Sequence, residues 1–129
     1  MSGLFLTKPE PVAVFVGENA TVLCQSDEVG GVNWEFRRIS STKSERICYD
    51  GKILDEYTGK YSIDSDPGVS PQAYNLIIHN ANFSDAGEYT CFEKAGLGNS
   101  TSANLTVQEH GKDDIAVHLY GVFHRRQPL

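Results

Sequence analysis

A chain of 129 residues, 40% hydrophobic and 22% charged, has the length and composition of one soluble globular domain rather than of a disordered tail. Its formal net charge of −6 comes with no basic stripe to release counterions from phosphates, which excludes sequence-independent binding of nucleic acid. The longest apolar run, Ile115 to Leu119, is interrupted by His118 and far too short to span a bilayer, so no membrane-spanning segment is expected in this chain.

From the N-terminus, Leu4-Phe5-Leu6 is shorter than the hydrophobic stretch of a signal peptide; either that peptide has been removed or the protein is intracellular. Val12–Val16 ends at the turn signal Gly17-Glu18-Asn19, and Ala20–Cys24 alternates, with Val22 and Cys24 opposite in register to Thr21 and Leu23. Gly30-Gly31 breaks the chain before Val32–Arg37, in which Val32, Trp34 and Phe36 share one face. The polar stretch Ser40–Glu45 reads as a loop. Arg46–Tyr49 and Lys52–Leu54 flank Asp50-Gly51, a hairpin signal. Lys60–Ile63 precedes a loop around Asp66-Pro67-Gly68, and Tyr74–Ile78, Gly87–Phe92 and Ser102–Val107 are the remaining clear runs. No stretch carries apolar residues at helical spacing for more than a turn, so about nine short strands predict an all-β, two-sheet antiparallel sandwich. Residues 1–8 lead into the domain, 9–108 form it, and 109–129 are expected to be a linker and flexible tail.

Groups with chemistry are sparse. His79, His110, His118 and His124 show no metal-ligand spacing and join no Cys-x-x-Cys pair. Asp64-x-Asp66 and Asp113-Asp114 fit turns and solubility, and Gly96-Leu97-Gly98 is followed by no helix pattern that would make it a phosphate cradle. No nucleophile stands with a base. The expectation is no enzyme, no catalytic residue, no metal and no cofactor. Four Asn-x-Ser/Thr sequons, at Asn19, Asn82, Asn99 and Asn104, are candidate glycosylation sites and favour a secreted or cell-surface protein.

The pattern Leu76-x-Ile78-x-x-Ala81-x-x-x-Asp85-x-Gly87-x-Tyr89-x-Cys91, with Cys24 ten residues before Trp34, resembles the framework of immunoglobulin domains over roughly residues 9–108. The resemblance implies a Greek-key sandwich with a Cys24–Cys91 disulfide between the sheets and Trp34 packed on it. Tyr89 resembles the family's tyrosine corner, Gly87 permits the tight path into its strand, and Asp85 pairs with Lys60, where the family more often has arginine. Fifty-six residues between Trp34 and Cys91 leave room for the two extra strands of variable-type domains. The end of the domain, where six residues separate Gly98 from Leu105-Thr106-Val107, looks more like adhesion-molecule domains than antigen receptors. A disulfide implies an oxidising compartment. Cys48 is then the odd cysteine, either a buried thiol acting as a small hydrophobe or an exposed one bridging to a second chain.

On the family's fold, parity turns Glu35, Arg37, Thr90 and Phe92 outward from one sheet, with Tyr49 if Cys48 points in. Two aromatics beside charged residues have the composition of an interface core with a polar rim. Asn104 falls on the same face, where a glycan would partly shield it. The implied function is an extracellular recognition or adhesion module of a cell-surface or secreted immunoglobulin-superfamily protein. Its partner is a protein ligand or a like domain, as in a homodimer or in immune recognition, met through this sheet or through the loops Glu28–Gly31 and Glu93–Asn99. The competing expectation is an intracellular structural domain of a cytoskeletal or muscle scaffold.

Overall fold

The computed structural model describes residues 5–26, 31–65, 68, 72–93 and 99–110. Eleven strands are found among them: β1 Phe5–Thr7, β2 Val12–Phe15, β3 Ala20–Val22, β4 Gln25–Ser26, β5 Val32–Arg38, β6 Glu45–Tyr49, β7 Lys52–Ile53, β8 Tyr61–Asp64, β9 Asn75–Ile78, β10 Gly87–Glu93 and β11 Ser100–Gln108. One sheet has the order β2-β11-β10-β5-β6-β7, the facing sheet β3-β9-β8, and β1 with β4 forms a ribbon. Pairing is antiparallel except between β2 and β11.

The two strands beyond the expected nine have local causes. Pro9 and Pro11 offer no N–H to a ladder, so the chain leaves β4 after β1 and rejoins as β2 against β11 in the other sheet. Phe5–Thr7, within the lead-in stretch, is thereby part of a sheet. Between β3 and β4 the Cys24 N–H donates to the Asn75 side chain (3.0 Å) while the Cys24 carbonyl accepts from Tyr74 N–H (2.9 Å), which interrupts the ladder.

The core lies where β10 and β5 face β3 and β9. Strand β10 alternates strictly, with Tyr89, Cys91 and Glu93 buried and Glu88, Thr90 and Phe92 facing outward. Cys24 and Cys91 are bonded, both are fully buried, and Cys91 stands opposite Trp34 in the ladder. Trp34 is fully buried as well, and its indole N–H donates to the Tyr74 carbonyl at 3.0 Å. Phe36 stacks on Tyr89 with centroids 4.6 Å apart, and Tyr61 meets Tyr89 edge-on at 6.3 Å. Full burial of a ring as large as Trp34 stabilises the fold by several kcal/mol, about 3–5 as judged by truncation to alanine.

At the domain's other end Lys60 Nζ lies 2.6 Å from Asp85 Oδ2, and the Tyr89 hydroxyl donates to the Asp85 carbonyl at 2.8 Å. Gly87 has φ +152°, and a Cβ there would meet the Arg37 carbonyl oxygen at 2.3 Å, so only glycine lets β10 start this close to β5.

Strand β6 departs from simple alternation. Trp34 pairs with Cys48 but Glu35 pairs with Arg46, leaving Ile47 as an extra residue in a bulge. Ile47 and Cys48 are therefore both fully buried while Arg46 and Tyr49 are exposed. Cys48 is a free thiol; it donates weakly to the Val32 carbonyl (3.7 Å), and burial pushes its pKa up to about 11. Of the expected tail, Glu109 and His110 are described, with the His110 ring stacked 4.4 Å from Phe15; residues 111–129 lie outside the described residues.

Candidate binding face

The outward residues of β11, β10, β5 and β6 fall into rows set by the ladder. Asn104, Glu88 and Arg37 make the first, Ser102, Thr90, Glu35 and Arg46 the second, and Ser100, Phe92 and Asn33 the third. Tyr49 follows Cys48, the ladder partner of Trp34, and so stands beside the third row. Glu35, Arg37, Tyr49, Thr90 and Phe92 thus share one surface.

The charges on this surface are satisfied within the domain. Arg37 lies 3.0 Å from Glu88 and also donates to the Ser41 carbonyl at 3.2 Å. Arg46 reaches Glu35 at 2.9 Å through Nη2 and at 3.2 Å through Nε, and its guanidinium sits 5.8 Å from the Tyr49 ring centroid. Ser102 donates to the second oxygen of Glu88 at 3.1 Å. Tyr49 is 50% exposed and Phe92 half-buried. The face therefore offers aromatic area at one end, with the Arg46–Glu35 pair beside it and the Arg37–Glu88 pair at the other end. Arg46 and Glu88 escaped the sequence reading. Glu88 shares the parity of Thr90 and was legible; Arg46 turns outward only because of the bulge at Ile47.

Asn33 has outward parity yet is only 3% exposed, because its side-chain oxygen accepts the Asp50 N–H (2.8 Å) and the β6–β7 hairpin closes over it. The same hairpin is tied to the start of β5. Gly51 N–H donates to Val32 O at 2.8 Å and Gly31 N–H to the Asp50 side chain at 3.0 Å; a Cβ on Gly31 would come within 2.4 Å of the Asp50 backbone. Of the two loops named as alternative contact sites, residues 28–30 and 94–98 lie outside the described residues. Their described ends are anchored. Buried Glu93 accepts from Ser26 Oγ (3.4 Å) and from Asn99 N–H (2.9 Å).

The four sequon asparagines are all exposed. Asn19 follows β2, Asn82 precedes the 3-10 turn Phe83–Asp85, and Asn99 and Asn104 lie at the start and in the middle of β11. Among the described residues no group of three His, Cys, Asp or Glu side chains is placed to hold a metal ion. No described helix is long and apolar enough to cross a membrane.

Residues 7–110 match the immunoglobulin V-set domain. The chain is 29% identical over 126 residues to butyrophilin subfamily 1 member A1 of Homo sapiens and 28% identical over 131 residues to that of Mus musculus. These alignments cover 81% and 82% of this chain but only 24% of each relative's length. Among solved structures, similarity extends to Dpr11 IG1 bound to DIP-gamma IG+IG2 (TM-score 0.65, 17% identity, 84% of this chain and 52% of that one). It extends also to the RIG-5 IG1 homodimer (0.63, 17%, 84% and 99%) and to titin domain M7 (0.56, 23%, 83% and 94%). At these identities the solved structures share the fold and no more.

Proposed function

Because the chain belongs to the immunoglobulin V-set family, which is in general not enzymatic, we propose that it is an extracellular recognition module binding a protein partner through the outer face of β10, β5 and β6. One observation carries this. The exposed Tyr49 and half-buried Phe92 stand beside two ion pairs already closed within the domain, so a partner removes aromatic area from water without stranding a charge. The butyrophilin relatives support a receptor or immune setting. RIG-5 IG1, a homodimer, and Dpr11 IG1, bound to a second immunoglobulin chain, support contact with a like domain. The Cys24–Cys91 bond and the four sequons support an extracellular location over an intracellular scaffold.

Sedimentation and surface-binding measurements test the face. Tyr49→Ala and Phe92→Ala are expected to weaken self-association or partner capture by about 1–3 kcal/mol each, the range of aromatic anchors, with far smaller losses of stability. Unchanged affinity in both variants moves the site to the loops or to the other sheet. Peptide mapping of the native protein tests location: free thiols at Cys24 and Cys91 would favour the scaffold.

A further inference from the structure

Sequons matter only where the fold tolerates a sugar, and the hydrogen bonds of the asparagines bear on that. N-glycans attach through Nδ2. At Asn19 the side-chain oxygen accepts Asn80 N–H (2.9 Å), and at Asn82 it accepts Ser84 N–H (2.9 Å) and the Ser84 hydroxyl. Both amides use their oxygen for structure and leave Nδ2 without a partner among the described residues. Asn104 makes no side-chain hydrogen bond among them and projects from the middle of β11, with Thr106, the hydroxyl residue of its sequon, exposed on the same side. It lines a shallow hollow of about 240 Å³ together with Arg37, Arg38, Glu88 and Thr106.

We propose that Asn104 is an N-glycan acceptor whose sugar covers the Arg37–Glu88 end of the sheet and leaves the Arg46–Tyr49 side bare. Partner contact, on the recognition function proposed above, then falls on the end of β10, β5 and β6 that carries Phe92 and Tyr49. The transfer forms a bond from Nδ2 to the anomeric carbon of an oligosaccharide. It breaks that carbon's bond to the diphosphate of a lipid-linked donor, and the lipid diphosphate and one amide proton leave. Geometry sets which groups are covered. Arg37 lies in the row of Asn104, two strands across, or about 10 Å; Tyr49 is three strands across and two rows along, about 20 Å away. No sequon falls between Ala20 and Ala81, the stretch that includes β5, β6 and β7.

Arg37 and Arg46 form a matched internal pair for the test. Their side chains are 43% and 42% exposed, and their ion pairs measure 3.0 and 2.9 Å. The domain is secreted from glycosylating animal cells, and an amidase in heavy-oxygen water then marks each formerly glycosylated asparagine as heavy aspartate. In parallel, the folded protein is treated with an arginine-directed dicarbonyl reagent before and after sugar removal, and compared with Thr106→Ala. Asn104 is expected to be marked, with Arg37 protected until the sugar is gone and Arg46 labelled equally throughout. Unmarked Asn104, or equal Arg37 labelling in the sugared and bare proteins, overturns the proposal. Enzymatic removal on the wild-type protein keeps the comparison should Thr106→Ala fail to be secreted. Neither readout involves a partner, so failure of the recognition function is scored separately, by binding.

Discussion

The Tyr89 hydroxyl donates to the Asp85 carbonyl at 2.8 Å inside the core, while the carboxylate of the same Asp85 holds Lys60 Nζ at 2.6 Å and the Asn82 N–H at 2.8 Å. One residue thus fixes the turn before β10 from both its main chain and its side chain. Tyr89→Phe leaves the buried Asp85 carbonyl without this donor, and a loss of about 1–3 kcal/mol is expected in urea unfolding at unchanged fold.

Asp85 is the more buried member of its ion pair, with a side chain 8% exposed against 29% for Lys60. Asp85→Ala removes the carboxylate that pairs with the Lys60 ammonium and accepts the Asn82 N–H, and is expected to cost about 2–3 kcal/mol. Lys60→Met removes a charge that solvent already screens in part and is expected to cost less. Equilibrium unfolding of the two variants checks the order; the reverse order would mean that Lys60 matters mainly through its bond to the Asn80 carbonyl (3.0 Å).

The disulfide closes a sequence separation of 67 residues, and chain entropy assigns it about 4 kcal/mol. Both sulfurs are shut away from solvent, so a reductant is expected to act only through unfolding. Thiol release should therefore rise steeply with denaturant, and the reduced protein should melt well below the oxidised one. Rapid release in native buffer would show that the bridge is reached by local opening.

Alkaline pH addresses Cys48 and Tyr61. Burial raises the Cys48 thiol from 9.0 to about 11 and the Tyr61 phenol from 10.0 to about 12. Tyr89 moves in the same direction, first through burial and then through Tyr61. A folded-state pKa above the unfolded one favours the protonated native state. The contribution is thus whole below pH 9.0 for Cys48, lost as pH rises to about 11, and lost for Tyr61 between 10.0 and about 12. Melting temperatures should fall across these windows, and Cys48→Ala should remove the lower one. Native Cys48 should react slowly with thiol reagents; immediate labelling would contradict its burial.

Much of this molecule is legible in its residues because its strongest constraints are periodic or paired. Alternation in Gly87–Phe92 and Val32–Arg37 gives the strands, and the resemblance carried by Cys24, Trp34, Asp85, Tyr89 and Cys91 implies the frame and, with it, the outward set. What alternation does not carry is a change of period. The bulge at Ile47 turns Arg46 outward and buries two neighbours in succession, so the Arg46–Glu35 pair was invisible until the ladder was seen. The splitting of the first strand was hidden for a similar reason: Pro9 and Pro11 mark a break, but only the ladders show that β1 and β2 belong to different sheets.

The hairpin turning at Asp50-Gly51 has a consequence for how this domain can change. On one side the six-stranded sheet ends on β7, only two residues long, so that rim presents little main chain for another protein to add a strand. On the recognition function proposed above, selectivity at this end of the sheet is written in side chains, on a surface whose groups contribute little to the interior. Such a surface can drift rapidly among related domains while the scaffold underneath stays as it was.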